Sequence, residues 1–183
     1  MPTKQKSDAK LATSCIKVVE DTLKKMSALT FSQDPEPFER TLIEYESRMR
    51  VFGMEIFNGT CFISVVNYYS SEQNKQNHDA VGAFVFYLEE SAAGRILKAL
   101  GYREFDEDDE AAVLEKTGQF TQVLAEAYKN EIGQSNLILS APKGYRNTVP
   151  EGVEFSYDQF TKYQIDFFIS KQKAIAVDIT LKV

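Results

Sequence analysis

Residues Glu104–Gly133, EFDEDDEAAVLEKTGQFTQVLAEAYKNEIG, carry the best-marked helix in this chain. Glu104, Asp106, Glu107, Asp108, Asp109 and Glu110 crowd its start, where the N-terminal end of a helix favours negative charge. Asp108 or Asp109 can cap it, and Gly133 is a suitable stop just beyond its last turn. At about 100° per residue, Val113, Leu114, Thr117, Phe120, Thr121, Leu124 and Tyr128 fall on one face. Glu115, Gln119, Gln122 and Glu126 fall roughly opposite. One side therefore reads as core, and the other as an outward stripe of carboxylates and carboxamides. Periodicity by itself makes that stripe a solvated helix face.

The chain is long enough, at 183 residues, to bury a proper core in one domain. Residues 1–10 read as a disordered lead-in and residues 11–183 as that single domain. A net charge of −6 and a pI near 5.0 argue against nucleic acid and against an anionic membrane surface, both of which need clustered Lys and Arg. The lysines of MPTKQKSDAK are not followed by the apolar stretch of a signal peptide, and no apolar run approaches a membrane span. Cytoplasm is the expected compartment. Cys15 and Cys61 sit in apolar contexts and read as small buried residues, not a disulfide framework. His78, the sole histidine, lies in the polar run SSEQNKQNHD without ligand partners at zinc spacing. The sequence therefore predicts no metal site, no cofactor and no histidine-activated nucleophile. No phosphate-binding glycine loop occurs either.

Around the long helix the pattern alternates between two periods. Leu11 to about Leu29 keeps helical spacing through Leu11, Cys15, Val18, Val19, Leu23 and Met26. SQDPEPFER, with Pro35 and Pro37, breaks it. Leu42–Phe52 and Met54–Phe57 then alternate loosely as strands, and Asn58-Gly59 marks a turn. Thr60–Tyr69 and Ala80–Leu88 are β-branched and aromatic strands on either side of a polar loop, 70–79. SAAGRILKAL is a short helix ending at Gly101. After Gly133 come strands at Asn136–Ser140, Val153–Tyr157, Tyr163–Ser170 and Ala174–Leu181, the last two joined as a hairpin. Asp158, Asp166 and Asp178 are expected to face outward from these strands, and Arg48, Arg50 and Arg146 form no constellation. The order predicts an α+β fold: a largely antiparallel sheet packed with two longer helices and one short helix.

One string adds a functional expectation. Glu115-Lys-Thr-Gly118-Gln119-Phe-Thr-Gln122 is followed by VLAEAYKNEI, then NLILSAP with a turn at Pro142. This resembles the CheX branch of the CheC/CheX/FliY chemotaxis phosphatases, which carry an acid or Ser, then after three residues Glu, then after two more residues Asn, commonly within G-E-x-x-N. The join FVFYLEESAAGRILKALG and the final hairpin fit as well, so the resemblance covers roughly residues 11–181. In that family the Asn orients the water that hydrolyses the aspartyl phosphate of a CheY-type response regulator, and the Glu pairs with a lysine of that regulator. The Mg²⁺ is the regulator's own, so the partner protein need only position water. Here Gln119 stands for the Glu and Gln122 for the Asn. Gln122 keeps a carboxamide on a longer arm, and Gln119 has lost the charge. The resemblance thus implies catalytic positions at Gln122 and Gln119. It implies a partner-binding stripe of Glu115, Gln119, Gln122 and Glu126, and a phosphorylated CheY-type partner. Phosphatase activity is expected to be weakened or lost. A homodimer joined through sheet edges is expected too, with Thr60–Tyr69 and Ala80–Leu88 presenting the edge. The alternative is a non-catalytic structural or oligomerisation protein of a chemotaxis or flagellar system.

Overall fold

The structure, a computed structural model, describes residues 3–154 and 161–182. Helix α1 spans Thr3–Met26, and strands β1 (Glu36–Thr41), β2 (Glu44–Tyr45) and β3 (Arg48–Phe52) follow. A single turn, α2 (Gly53–Phe57), leads to β4 (Cys61–Tyr69), and another, α3 (Glu72–Gln76), to β5 (Gly82–Glu89). Helices α4 (Glu90–Ala99) and α5 (Glu110–Glu131) come next. Strands β6 (Ile138–Leu139), β7 (Lys143–Arg146), β8 (Thr148–Val153), β9 (Thr161–Ile169) and β10 (Gln172–Leu181) complete the order. The α+β class expected from the sequence is the observed one.

A seven-stranded sheet runs β1-β9-β10-β5-β4-β6, with β7 also paired to β4. A second sheet runs β2-β3-β8. Both are antiparallel throughout. The helices cover one face of the large sheet. Cys15, Val19 and Leu23 of α1, Ile96 of α4, and Phe120, Leu124 and Tyr128 of α5 pack there on Phe84, Phe86, Ile165, Phe167 and Val177. The small sheet covers the other face, placing Met49, Val51 and Val149 against Ile63, Val85 and Ala176. Strands β4 and β5 are buried on both faces, so they read as continuous apolar runs and not as alternating ones.

Several expectations are corrected. Thr60–Tyr69 and Ala80–Leu88 form no exposed edge: β5 lies between β4 and β10, and β4 between β5 and β6. The open edge at one end of the sheet is β1, with five of its six residues exposed. Pro37, read as a breaker, sits within β1, because an edge strand has a free side on which a missing N–H costs nothing. Residues 53–57 are a helical turn, α2, and not a strand. Gly53 opens it because a Cβ there would lie 2.4 Å from the Cys61 Sγ. Helix α1 begins at Thr3, inside the segment expected as a lead-in; no Pro or Gly lies between Thr3 and Met26 to interrupt it. The polar loop 70–79 contains α3, whose first turn is capped by Ser71. Of the strand expected over 153–157, β8 includes Val153. Residues 155–160, Asp158 among them, lie outside the described residues.

Candidate functional site: the outer face of helix α5

Helix α5 starts at its Asp109 cap, whose carboxylate accepts from the backbone N–H groups of Ala111 and Ala112 at 3.0 and 3.4 Å. Asp106 caps the turn before it, accepting from the Asp108 N–H at 3.0 Å, so part of the acidic run shapes the approach to the helix. Beyond the far end, Gly133 takes a φ of +75°, a conformation that suits glycine. The buried side is locked in place. Phe120 meets Phe86 edge-on at 5.5 Å. The Tyr68 hydroxyl donates to the Ala125 carbonyl at 2.9 Å, and the Tyr128 hydroxyl to that of Leu11 at 3.3 Å. Thr117 and Thr121, also buried, donate back along the helix to the carbonyls of Val113 and Thr117, both at 2.7 Å. A Cβ on Gly118 would lie 3.4 Å from Pro142, so the turn after β6 rests directly against the middle of α5. The helix is a rigid mount for whatever its outer face presents.

That face differs from the sequence expectation at one decisive position. Glu115, Gln119 and Glu126 are exposed. Gln122 is half-buried, and its Oε1 is fully enclosed without a hydrogen-bond partner among the described residues. The Gln119 amide donates to Glu115 Oε1 at 2.9 Å, and Lys116 Nζ lies 3.0 Å from the same oxygen. Glu126 pairs with Lys129 at 2.9 Å. The structure therefore joins Glu115 to Gln119 and balances both acids with a neighbouring lysine. Exposed ion pairs of this kind contribute little stability, but they reduce the field the face presents. Val123, unremarked in the sequence, is 43 % exposed on α5 and gives the surface an apolar element.

No family model matches the sequence, and no curated protein matches it. Solved structures do. One is a putative chemotaxis protein from Desulfovibrio vulgaris Hildenborough, with a TM-score of 0.60 at 12 % identity over 94 % of this chain and 96 % of that one. The chain has the CheC/CheX fold. The chemotaxis protein CheX from Desulfovibrio desulfuricans matches with a TM-score of 0.58 at 12 % identity, over 94 % of this chain and 99 % of that one. A CheX–CheY–BeF3–Mg²⁺ complex from Borrelia burgdorferi matches with a TM-score of 0.56 at 12 % identity, over 94 % and 97 %. The likeness to CheX is one of fold over nearly the whole length.

Elsewhere, Arg146 does join a constellation: it pairs with Glu110 of α5 at 2.8 Å and with Glu90 of α4, tying β7 to both helix starts. Cys15 and Cys61 are buried and free, as expected. Burial raises both thiols, that of Cys61 to about 12. His78 is exposed, with Nδ1 3.1 Å from Glu154 Oε1. Among the described residues no group of three His, Cys, Asp or Glu could hold a metal, and no helix is long and apolar enough to cross a membrane.

The expectation for Asp166 and Asp178 is overturned. They are 3 % and 1 % exposed, between the two sheets. Asp178 Oδ2 accepts from the Tyr87 hydroxyl at 2.6 Å and pairs with Lys162 at 2.5 Å. Asp166 pairs with Lys173 at 2.7 Å and accepts from the Gln164 amide at 3.0 Å. The sequence did hold a signal: each aspartate interrupts an apolar run (IDFFI and AVDIT) in strands near the sheet's centre, where both faces are covered.

Proposed function

We propose that the outer face of α5 binds a phosphorylated CheY-type response regulator and does little to speed loss of its phosphate. The fold supports the partner class, since one structure of this fold is a CheX–CheY–BeF3–Mg²⁺ complex. The observation that carries the second half is the enclosed, unpartnered Gln122 Oε1. Hydrolysis of an aspartyl phosphate in a regulator that brings its own Mg²⁺ requires an oxygen lone pair aimed at the attacking water. Gln122 does not offer one outward. Gln119, whose amide already donates to Glu115, replaces a docking charge with a neutral contact. Binding then rests on Glu115, Gln119, Val123 and Glu126, a mixed polar and apolar surface on a rigid helix. The exposed edge strand β1 is the place where a second copy would pair to make a homodimer.

The test is decay of the phosphorylated regulator with and without this protein. Wild type and Gln122→Ala should give the same slow decay. The double variant Gln119→Glu with Gln122→Asn should speed it, on the order of 100-fold, by putting charge and carboxamide at the right reach. Marked acceleration by wild type that vanishes in Gln122→Ala would overturn the reading.

A further inference from the structure

Strand β1 closes one end of the large sheet, and its outer side meets no other strand among the described residues. The Phe168 carbonyl accepts from the Ser32 N–H on the β1 side of β9. Alternation therefore turns the backbone groups of Asp166, Gln164 and Lys162 toward β1, and those of their register partners Glu36, Phe38 and Arg40 toward β9. Pro37, Glu39 and Thr41 keep their backbone groups on the open side. The side chains of Glu36, Phe38 and Arg40 share one face and line a cleft between the two sheets, with Arg50 and Glu55 on the opposite wall. Each charge on this face of β1 has a like charge beside it in its own chain: Glu36 lies opposite Asp166, and Arg40 opposite Lys162. Asp166 and Lys162 are themselves paired, with Lys173 and Asp178. Glu36 accepts from the Gln33 amide at 3.0 Å, and the Arg40 guanidinium lies 4.9 Å over the Phe38 ring. Neither charge has an opposite partner among the described residues.

We propose that two copies of this chain join through β1 in one register: Phe38 faces the partner's Phe38 on the two-fold axis, and Glu36 faces the partner's Arg40 on either side. This rests on the reading of β1 as the edge where a second copy pairs, and it names the residues that decide the fit. A closed two-fold dimer through one edge strand pairs that strand with itself, antiparallel. Backbone groups meet only where the open-side residues Pro37, Glu39 and Thr41 face one another, which leaves few registers. Centred on Pro37, the pair at the axis has no N–H to give. Centred on Glu39 or on Arg40, it sets two like charges directly opposite, which is destabilising. Centred on Phe38, the Glu39 N–H donates to the carbonyl of the partner's Pro37, and symmetry supplies the reverse bond. That register also places two aromatic rings side by side and gives each unpaired Glu36 and Arg40 an opposite charge, both favourable cross-strand contacts. Helix α5 packs over β4 and β5, toward the other end of the sheet, so its outer face stays free for the regulator.

The experiment is sedimentation velocity on the full-length chain over a range of concentrations, with charge-reversed variants. Wild type should dimerise below about 0.1 mM. Glu36→Arg and Arg40→Glu should each weaken the dimer about tenfold or more, because each sets like charges opposite one another on both sides of the axis. Glu36→Arg and Arg40→Glu combined in one chain should bring the affinity back to within about threefold of wild type, since the pairs re-form with their signs exchanged. Both positions are exposed on an edge strand, so the variants keep the fold, and circular dichroism checks that they do. Mild oxidation adds a geometric readout. Phe38→Cys should form an intermolecular disulfide faster than Glu39→Cys or Arg40→Cys, and the buried Cys15 and Cys61 do not compete. Single reversals that leave the dimer unchanged, a double variant no tighter than the singles, or preferred cross-linking at position 39 or 40 would each overturn the register while the homodimer stands. A wild-type chain that stays monomeric at about 0.1 mM would overturn the register and the homodimer together.

Discussion

Replacing Gln122 with methionine should make this protein more stable, although it deletes a residue of the expected catalytic pair. The reasoning starts from the enclosed Oε1, which has no hydrogen-bond partner among the described residues. An unsatisfied buried acceptor costs about 1–3 kcal/mol relative to its hydrated state. Methionine is close to glutamine in length and volume and equal to it in helix propensity, so the exchange opens no cavity and weakens no helix. Gln122 is half-buried, which places the gain near the lower end, about 1 kcal/mol. For a chain of 183 residues that corresponds to a rise in Tm of about 2–4 °C. Thermal and urea unfolding followed by circular dichroism would measure it. Gln119→Met is the matched control: Gln119 is exposed and its bond to Glu115 is a surface contact, so the change should stay within about 0.5 kcal/mol. A Gln122→Met protein with unchanged or lowered Tm would refute the reasoning, since the oxygen would then have to be solvated or paired. Regulator-phosphate decay should be the same with Gln122→Met as with wild type.

Other consequences are equally open to measurement. Tyr87→Phe removes the 2.6 Å hydrogen bond to the buried Asp178 and should cost about 1.5–3 kcal/mol, seen as a lower urea midpoint at constant m value. Cys15 and Cys61 should resist a thiol reagent in the native protein and react only as it unfolds, because burial removes access and disfavours both thiolates. The Glu90 carboxyl is held below its ordinary value of 4.5, first by a hydrogen bond from Thr60 and then by Arg146. A lowered folded-state value stabilises the ionised form, so this contribution is present above about pH 4.5 and is lost as pH falls through the folded value. Between about pH 6 and about pH 3, Glu90→Gln should therefore lose less Tm than wild type.

What the sequence revealed, and what it concealed, follows from the physics of each element. Helix α5 was legible because its signals are local: the Asp109 cap, the apolar spacing through Tyr128 and the Gly133 stop need no knowledge of neighbours. Strands β4 and β5 were legible as strands but not as central ones. Their burial on both faces comes from two different partner layers, and strand order is a long-range property. Pro37 misled because a proline's cost depends on whether its side of the strand is paired. Met54–Phe57 is too short for period to separate a turn of helix from a strand. Glu115, Gln119 and Glu126 of the α5 stripe are exposed, as helical spacing implies, yet a helical wheel cannot show that neighbouring structure encloses the Gln122 oxygen. Asp166 and Asp178 were misassigned because alternation puts a polar residue outside only when one sheet face meets water. Here the small sheet covers that face.

The most direct test of the central claim is the affinity of a CheY-type regulator for this protein, compared with and without beryllofluoride activation. The account predicts that the activated regulator binds more tightly, and that Gln119→Arg weakens this binding about tenfold or more by placing an unbalanced cation on the α5 face. Equal affinity for both forms of the regulator, or an activated complex indifferent to Gln119→Arg, would contradict it.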